Sequence, residues 1–175
     1  SGDNKTGVAL LEQAVALGPD IINLQDARER MGLMYLLDPA RFTDFITPAV
    51  RQFPASIPLE VFSLVYISVN PETPGQREAR DRLNAIGNDP QVAHWIGTAY
   101  NNLGIGLYDN GETTRAIAAY QHSLRFLPDR ATTLKELAKA LQKQGNRPAA
   151  SAAMLRAAQI TPHDQSTLYN AALGL

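Results

Sequence analysis

Apolar residues in the second half of the chain return every three or four positions. Tyr100, Leu103 and Leu107 follow that spacing, which sets them on one stripe of a helix. Gly111 comes next and is expected to take the left-handed conformation that ends a helix. Ala116, Tyr120, Ser123 and Leu124 form a second stripe. Pro128 closes it, because proline has no backbone donor for the helical ladder. Two helices, a tight turn and a stop make one unit, with small Gly104 and Ala116 expected to let the two axes approach. The unit is then written again 34 residues later. Thr98, Leu103, Leu107, Gly111, Ala116, Ala119 and Pro128 recur as Thr132, Leu137, Leu141, Gly145, Ala150, Ala153 and Pro162. The kept letters are apolar, small, Gly or Pro, the types that packing and backbone geometry demand.

A weaker form of the pattern extends upstream. Gly2–Asp20 overlays Gly111–Asp129 in turn glycine, apolar stripe and closing Pro-Asp. Helices are expected to end before Pro19, Pro54, Pro90, Pro128 and Pro162, at spacings of 35, 36, 38 and 34. Their partner helices are expected near 21–37, 57–69, 91–109, 130–144 and 164–175. Phe42, Ile46 and Ala49 supply one stripe, and Ala79, Leu83 and Ile86 another. The segment from Ser56 to Val69 is rich in β-branched residues and also reads as a strand. Helix is preferred there: Ser56 is placed to cap, Pro58 suits a first turn, and the repeat phase calls for it. The chain opens at a turn before a second helix and closes after a first one, so a region of a longer protein is expected.

These residues resemble the tetratricopeptide repeat, most strongly over 97–164. The family's pattern is carried by Tyr100, Leu103, Gly104, Leu107, Gly111, Ala116, Tyr120, Ser123 and Pro128. Leu107 stands where tyrosine is usual and Ser123 where alanine is usual. The resemblance implies an all-α fold, a right-handed α-solenoid of antiparallel helix pairs with about ten helices. It implies one array over 1–175: degenerate repeats over 1–96, two well-matched repeats over 97–164 and a terminal helix over 165–175. One such hairpin cannot bury its own apolar face, and stacking on a neighbour does so. The conserved letters therefore build the stack, and the changed ones form the surface.

Composition narrows the chemistry. The chain has 175 residues, 45% of them hydrophobic, enough for a continuous core. Sixteen basic and seventeen acidic side chains nearly cancel, which argues against nucleic-acid binding by bulk positive charge. The charge is uneven, net −5 over residues 1–111 and net +4 over 112–175. That leaves a basic C-terminal surface, either plain decoration or an attractor for an anionic partner. Without cysteine there are no disulfides, thiolate nucleophiles or cysteine zinc sites. The histidines are His94, His122 and His163, and none forms the HExxH pair of a zinc protease. There is no GxSxG elbow, phosphate loop or calcium loop, so neither catalysis, metal nor cofactor is expected. Gly104-Ile105-Gly106 falls inside an expected helix, which disqualifies it as a phosphate cradle. His163-Asp164 reads as turn residues that cap the last helix. Trp95 is expected at a joint between repeats, with ligand stacking as the other reading. Asn4-Lys5-Thr6 has the spelling of a glycosylation acceptor.

Arrays of this family bind on the wall lined by the first helix of each unit, so the resemblance implies a partner-binding set. From the stripe phase these are Thr98, Asn101, Asn102, Ile105 and Tyr108, then Lys135, Lys139 and Gln142, then Tyr169 and Asn170. Lys135, Lys139 and Lys143 stand one turn apart and could receive carboxylates. Glu136 stands where a carboxylate clamp would want asparagine. The expected role is a non-catalytic protein–protein interaction scaffold that holds a peptide or protein, acidic ones included, in a groove. Two other readings stay open. One is the soluble region of a larger bacterial membrane-associated glycan polymerase, glycosyltransferase or export machine, positioning a glycan or a sister subunit. The other is self-association through the helical ends.

Overall fold

The computed structural model describes residues 42–69, 74–164, 166 and 168. Among these residues are seven helices and no strand. They are α1 (Phe42–Gln52), α2 (Ile57–Val69), α3 (Gln76–Ile86), α4 (Pro90–Asp109), α5 (Thr113–Phe126), α6 (Ala131–Lys143) and α7 (Arg147–Ile160). The seven fall where helices were expected between Phe42 and Pro162. The other expected helices, before Pro19, over 21–37 and toward the C-terminus, lie on or run into residues outside the described ones, as does Asn4-Lys5-Thr6. Two compact units result, the first ending at Trp95 and the second beginning at Ile96, so the division falls inside α4.

In the first unit α2 packs against both α1 and α3. That explains why its sequence is apolar nearly all round, since a helix covered on several sides needs no polar face. Leu59, Val61, Phe62, Val65 and Tyr66 are buried along it, with Ile46 and Ala49 from α1 and Ala79 and Leu83 from α3. Tertiary packing thus overrides the weak helix propensity of its β-branched residues. Arg82 near the end of α3 donates to Glu60 near the start of α2 at 3.1 Å, so the two run antiparallel. One local expectation is corrected: Ser56 does not cap α2 through its side chain, because its Oγ is buried and bonds no partner. As expected, α3 ends before Pro90, and Pro90 itself begins α4. Asp89 makes this the better start, since Asp89 Oδ1 accepts from the backbone N–H of Gln91 at 2.8 Å and of Val92 at 3.2 Å.

The second unit is built from pairs. Tyr100, Leu103 and Leu107 on α4 are buried, as are Ala116, Tyr120 and Ser123 on α5. Gly104 faces Tyr120: a Cβ at Gly104 would lie 2.5 Å from the Tyr120 ring. The Ser123 hydroxyl donates to the Gly97 carbonyl at 2.7 Å. Early residues of α4 therefore meet late residues of α5, and the pair is antiparallel. Tyr100 stacks with His122 at 5.1 Å and with Phe126 at 6.3 Å between ring centroids. Ala131 and Leu134 of α6 meet Ala157 of α7 in the same antiparallel sense, with Leu124 and Ile160 closing the cluster. Gly111 and Gly145 carry the turns at φ of 84° and 86°, a region a side chain makes costly.

Candidate functional site

The first helices of the two pairs, α4 and α6, lie side by side and parallel. Arg130 Nη1 donates to Thr98 Oγ1 at 2.7 Å. One turn on, the Thr133 hydroxyl donates to Asn101 Oδ1 at 2.8 Å. At the far end Lys143 Nζ sits 4.5 Å from the centroid of the Tyr108 ring, a cation–π contact. These three contacts hold two helices that were expected to carry the partner-binding residues.

The contacts also sort those residues. Asn101 is only 6% exposed, and its carboxamide is engaged with Thr133 and, through Nδ2, with Asn102 Oδ1 at 3.4 Å. Its chemistry is spent inside the pair of helices, which corrects its expected place on the surface. Thr98 is half-buried and accepts from Arg130, whose pKa burial pushes below its ordinary value. Asn102, Ile105 and Tyr108 are half-buried along α4, and Gln142 is exposed on α6. Tyr169 and Asn170 lie outside the described residues.

The lysine row is divided by its partners. Lys135 pairs with Asp164 at 2.8 Å, both side chains half-buried. Asp164, read from sequence as a turn residue, thus ties the segment after α7 to α6. Lys139 pairs with Glu136 at 2.8 Å on the exposed face. Lys143 lies over an aromatic ring instead of a carboxylate. Of the three it keeps the most unneutralised charge, because a ring face offsets less than a carboxylate does. Only the one-turn spacing of the row was visible in the sequence. The partners come from residues 29 and 35 positions away or from within the same turn.

Behind this wall the Tyr120 ring is fully buried and its hydroxyl has no hydrogen-bond partner. Burial pushes its pKa above the ordinary tyrosine value, with smaller contributions from the Glu136 and Asp109 carboxylates. Among the described residues no group of three His, Cys, Asp or Glu is placed to hold a metal ion. No helix among them is long and apolar enough to cross a membrane.

Antiparallel helices joined by a glycine turn, with the next pair's first helix laid parallel to their own, define a helical-repeat protein. Residues 96–126 match the sequence model of the tetratricopeptide repeat, and this segment is such a repeat. No curated protein matches the chain.

Proposed function

We propose that the second unit is a non-catalytic interaction scaffold that holds a peptide or a partner protein against the wall made by α4 and α6. The repeat over 96–126 supports this, since tetratricopeptide repeats bind proteins and peptides as a class. The observation that carries it is the parallel pairing of α4 with α6 through Thr98–Arg130 and Asn101–Thr133. The proposed binding face combines Asn102, Ile105 and Tyr108 of α4 with Lys139, Gln142 and Lys143 of α6, and the contact of Lys143 with the Tyr108 ring supports it. Apolar contact would come from Ile105 and Tyr108, hydrogen bonds from Asn102 and Gln142, and attraction for acidic groups from Lys139 and Lys143. A right-handed solenoid running as one array through residues 1–175 belongs to the same proposal. The near-constant spacing of turn glycines supports it, with Gly75 at φ 87° placed 36 residues before Gly111.

Photo-crosslinking tests the reading. A photoreactive side chain at Ile105 or Gln142 is expected to capture a polypeptide in cells making the protein. The same group at exposed Gln121 on α5 is expected not to. Equal capture from both faces, or none from α4 and α6, overturns the proposal. Lys139→Glu with Lys143→Glu is expected to lower capture roughly threefold to tenfold, more at low salt than at high. This pair is preferred to any variant of Lys135, whose loss would also release Asp164.

A further inference from the structure

The two hairpin turns of the second unit share a backbone and differ in chemistry. Gly111 and Gly145 stand at φ of 84° and 86°. The Gly111 N–H donates to the Tyr108 carbonyl at 3.0 Å, and the Gly145 N–H to the Gln142 carbonyl at 2.9 Å. The next N–H, of Glu112 or Asn146, returns to the carbonyl of Leu107 or Leu141 at 2.8 and 2.9 Å. Before each glycine stands an exposed carboxamide, Asn110 in the first turn and Gln144 in the second. Gln144 donates to Thr114 at 3.4 Å, whereas no hydrogen bond among the described residues holds the Asn110 side chain. Both turns are open to water, since an added Cβ at either glycine would meet nothing within 4 Å. Asn110 is the one asparagine in the sequence that glycine follows.

We infer that Asn110 is the chain's site of spontaneous deamidation, paced by opening of the α4–α5 turn. The reaction needs only this chain and water. The Gly111 nitrogen bonds to Asn110 Cγ and its proton goes to Nδ2. The Cγ–Nδ2 bond then breaks, ammonia leaves, and a five-membered succinimide remains. Water opens that ring at either carbonyl, to aspartate or to isoaspartate, whose main chain runs through Cγ and is one carbon longer. Glycine matters because it has no side chain to shield the attacking nitrogen. At Gln144 the same attack would close a six-membered ring from a longer side chain with more rotamer freedom to lose, which is slower. The folded turn restrains Asn110 because the Gly111 N–H is engaged with Tyr108. Reaction therefore proceeds from the fraction of chains in which that bond is open. Isoaspartate would lengthen the turn, so the Gly111 and Glu112 bonds back to α4 could not both re-form. The inference stands independently of what the wall made by α4 and α6 binds.

The test is peptide mapping by mass spectrometry of the whole chain, held in mildly alkaline buffer with and without urea. Conversion is expected at Asn110 ahead of every other asparagine, with Gln144 unchanged. It is expected to run at least about tenfold faster in urea than in the fold. Gln144→Asn puts the reactive pair into the second turn and is expected to create a second site there. The isoaspartate form, separated by chromatography, is expected to melt below the Asn110→Asp variant, which adds the same charge on an ordinary backbone. Any one of four results overturns the inference: no conversion at Asn110 or another asparagine ahead of it, equal rates with and without urea, an inert Gln144→Asn chain, or an isoaspartate form as stable as Asn110→Asp.

Discussion

At the scale of single residues, two glycines of one repeat are fixed by different forces. Gly104 is required by a neighbour, since an added Cβ would meet the Tyr120 ring at 2.5 Å. Gly111 has nothing within 4 Å of its would-be Cβ, and only its φ of 84° excludes other residues. Gly104→Ala is expected to cost about 1–3 kcal/mol through overpacking. Gly111→Ala is expected to cost about 1–2 kcal/mol through the backbone alone. Adding Tyr120→Ala separates them in chemical denaturation: it relieves Gly104→Ala and leaves the cost of Gly111→Ala unchanged. The Tyr120 hydroxyl makes a second residue-scale prediction. Its folded pKa lies above the unfolded value near 10, so the folded state holds the proton more tightly. Stability from this group is present below pH ~10 and is lost as the pH rises beyond it. Denaturation at pH 8.5 and 10.5 should show a smaller loss for Tyr120→Phe than for wild type. Near neutral pH that variant should be as stable as wild type or more so, because it deletes an unpaired buried hydroxyl. A loss above about 1 kcal/mol there would show that the hydroxyl has a partner.

At the scale of elements, hydroxyls govern how α4, α5 and α6 meet. Ser123 spends its proton on the Gly97 carbonyl and Thr133 spends its own on Asn101. The two hydroxyl oxygens lie 3.5 Å apart, and neither has a second proton to share. Each bond is therefore separately breakable. Thr133→Val keeps the shape and is expected to cost about 1–3 kcal/mol by leaving Asn101 Oδ1 unpaired in the interior. Asn101→Leu in the same chain is expected to recover part of that loss, giving a coupling of at least about 0.5 kcal/mol in a double-mutant cycle. Simple additivity would show that the bond does not hold the helices together.

At the scale of the whole molecule, the second unit has its own buried stripes on α4, α5, α6 and α7. Repeat proteins gain stability mainly from nearest-neighbour packing. A chain of residues 88–175, which includes Asp89 as the cap of α4, is therefore expected to fold alone. Circular dichroism should show a helical spectrum and a single cooperative melt. A broad, non-cooperative loss of signal would mean that the first unit is needed to complete the fold.

The sequence by itself determined the helices, because a stripe at three- and four-residue spacing has one conformation that buries it. Tyr100, Leu103 and Leu107 are buried as that spacing requires, and the turns at Gly111 and Gly145 carry the positive φ that their place demanded. It also disclosed the repeat at 96–126, since the packing letters recur at fixed distance. Proline was ambiguous because it suits a first helical turn as well as a stop; Asp89 settled Pro90 as a start. Only the tertiary structure decided which polar residues stay available. Stripe phase places Asn101 on a face, but it cannot reveal that Thr133, 32 residues away, takes its oxygen. Nor can it show that Asp164 engages Lys135 while Lys143 rests on Tyr108. Helix formation is local and periodic, whereas the partners of a side chain depend on chain segments brought together in space.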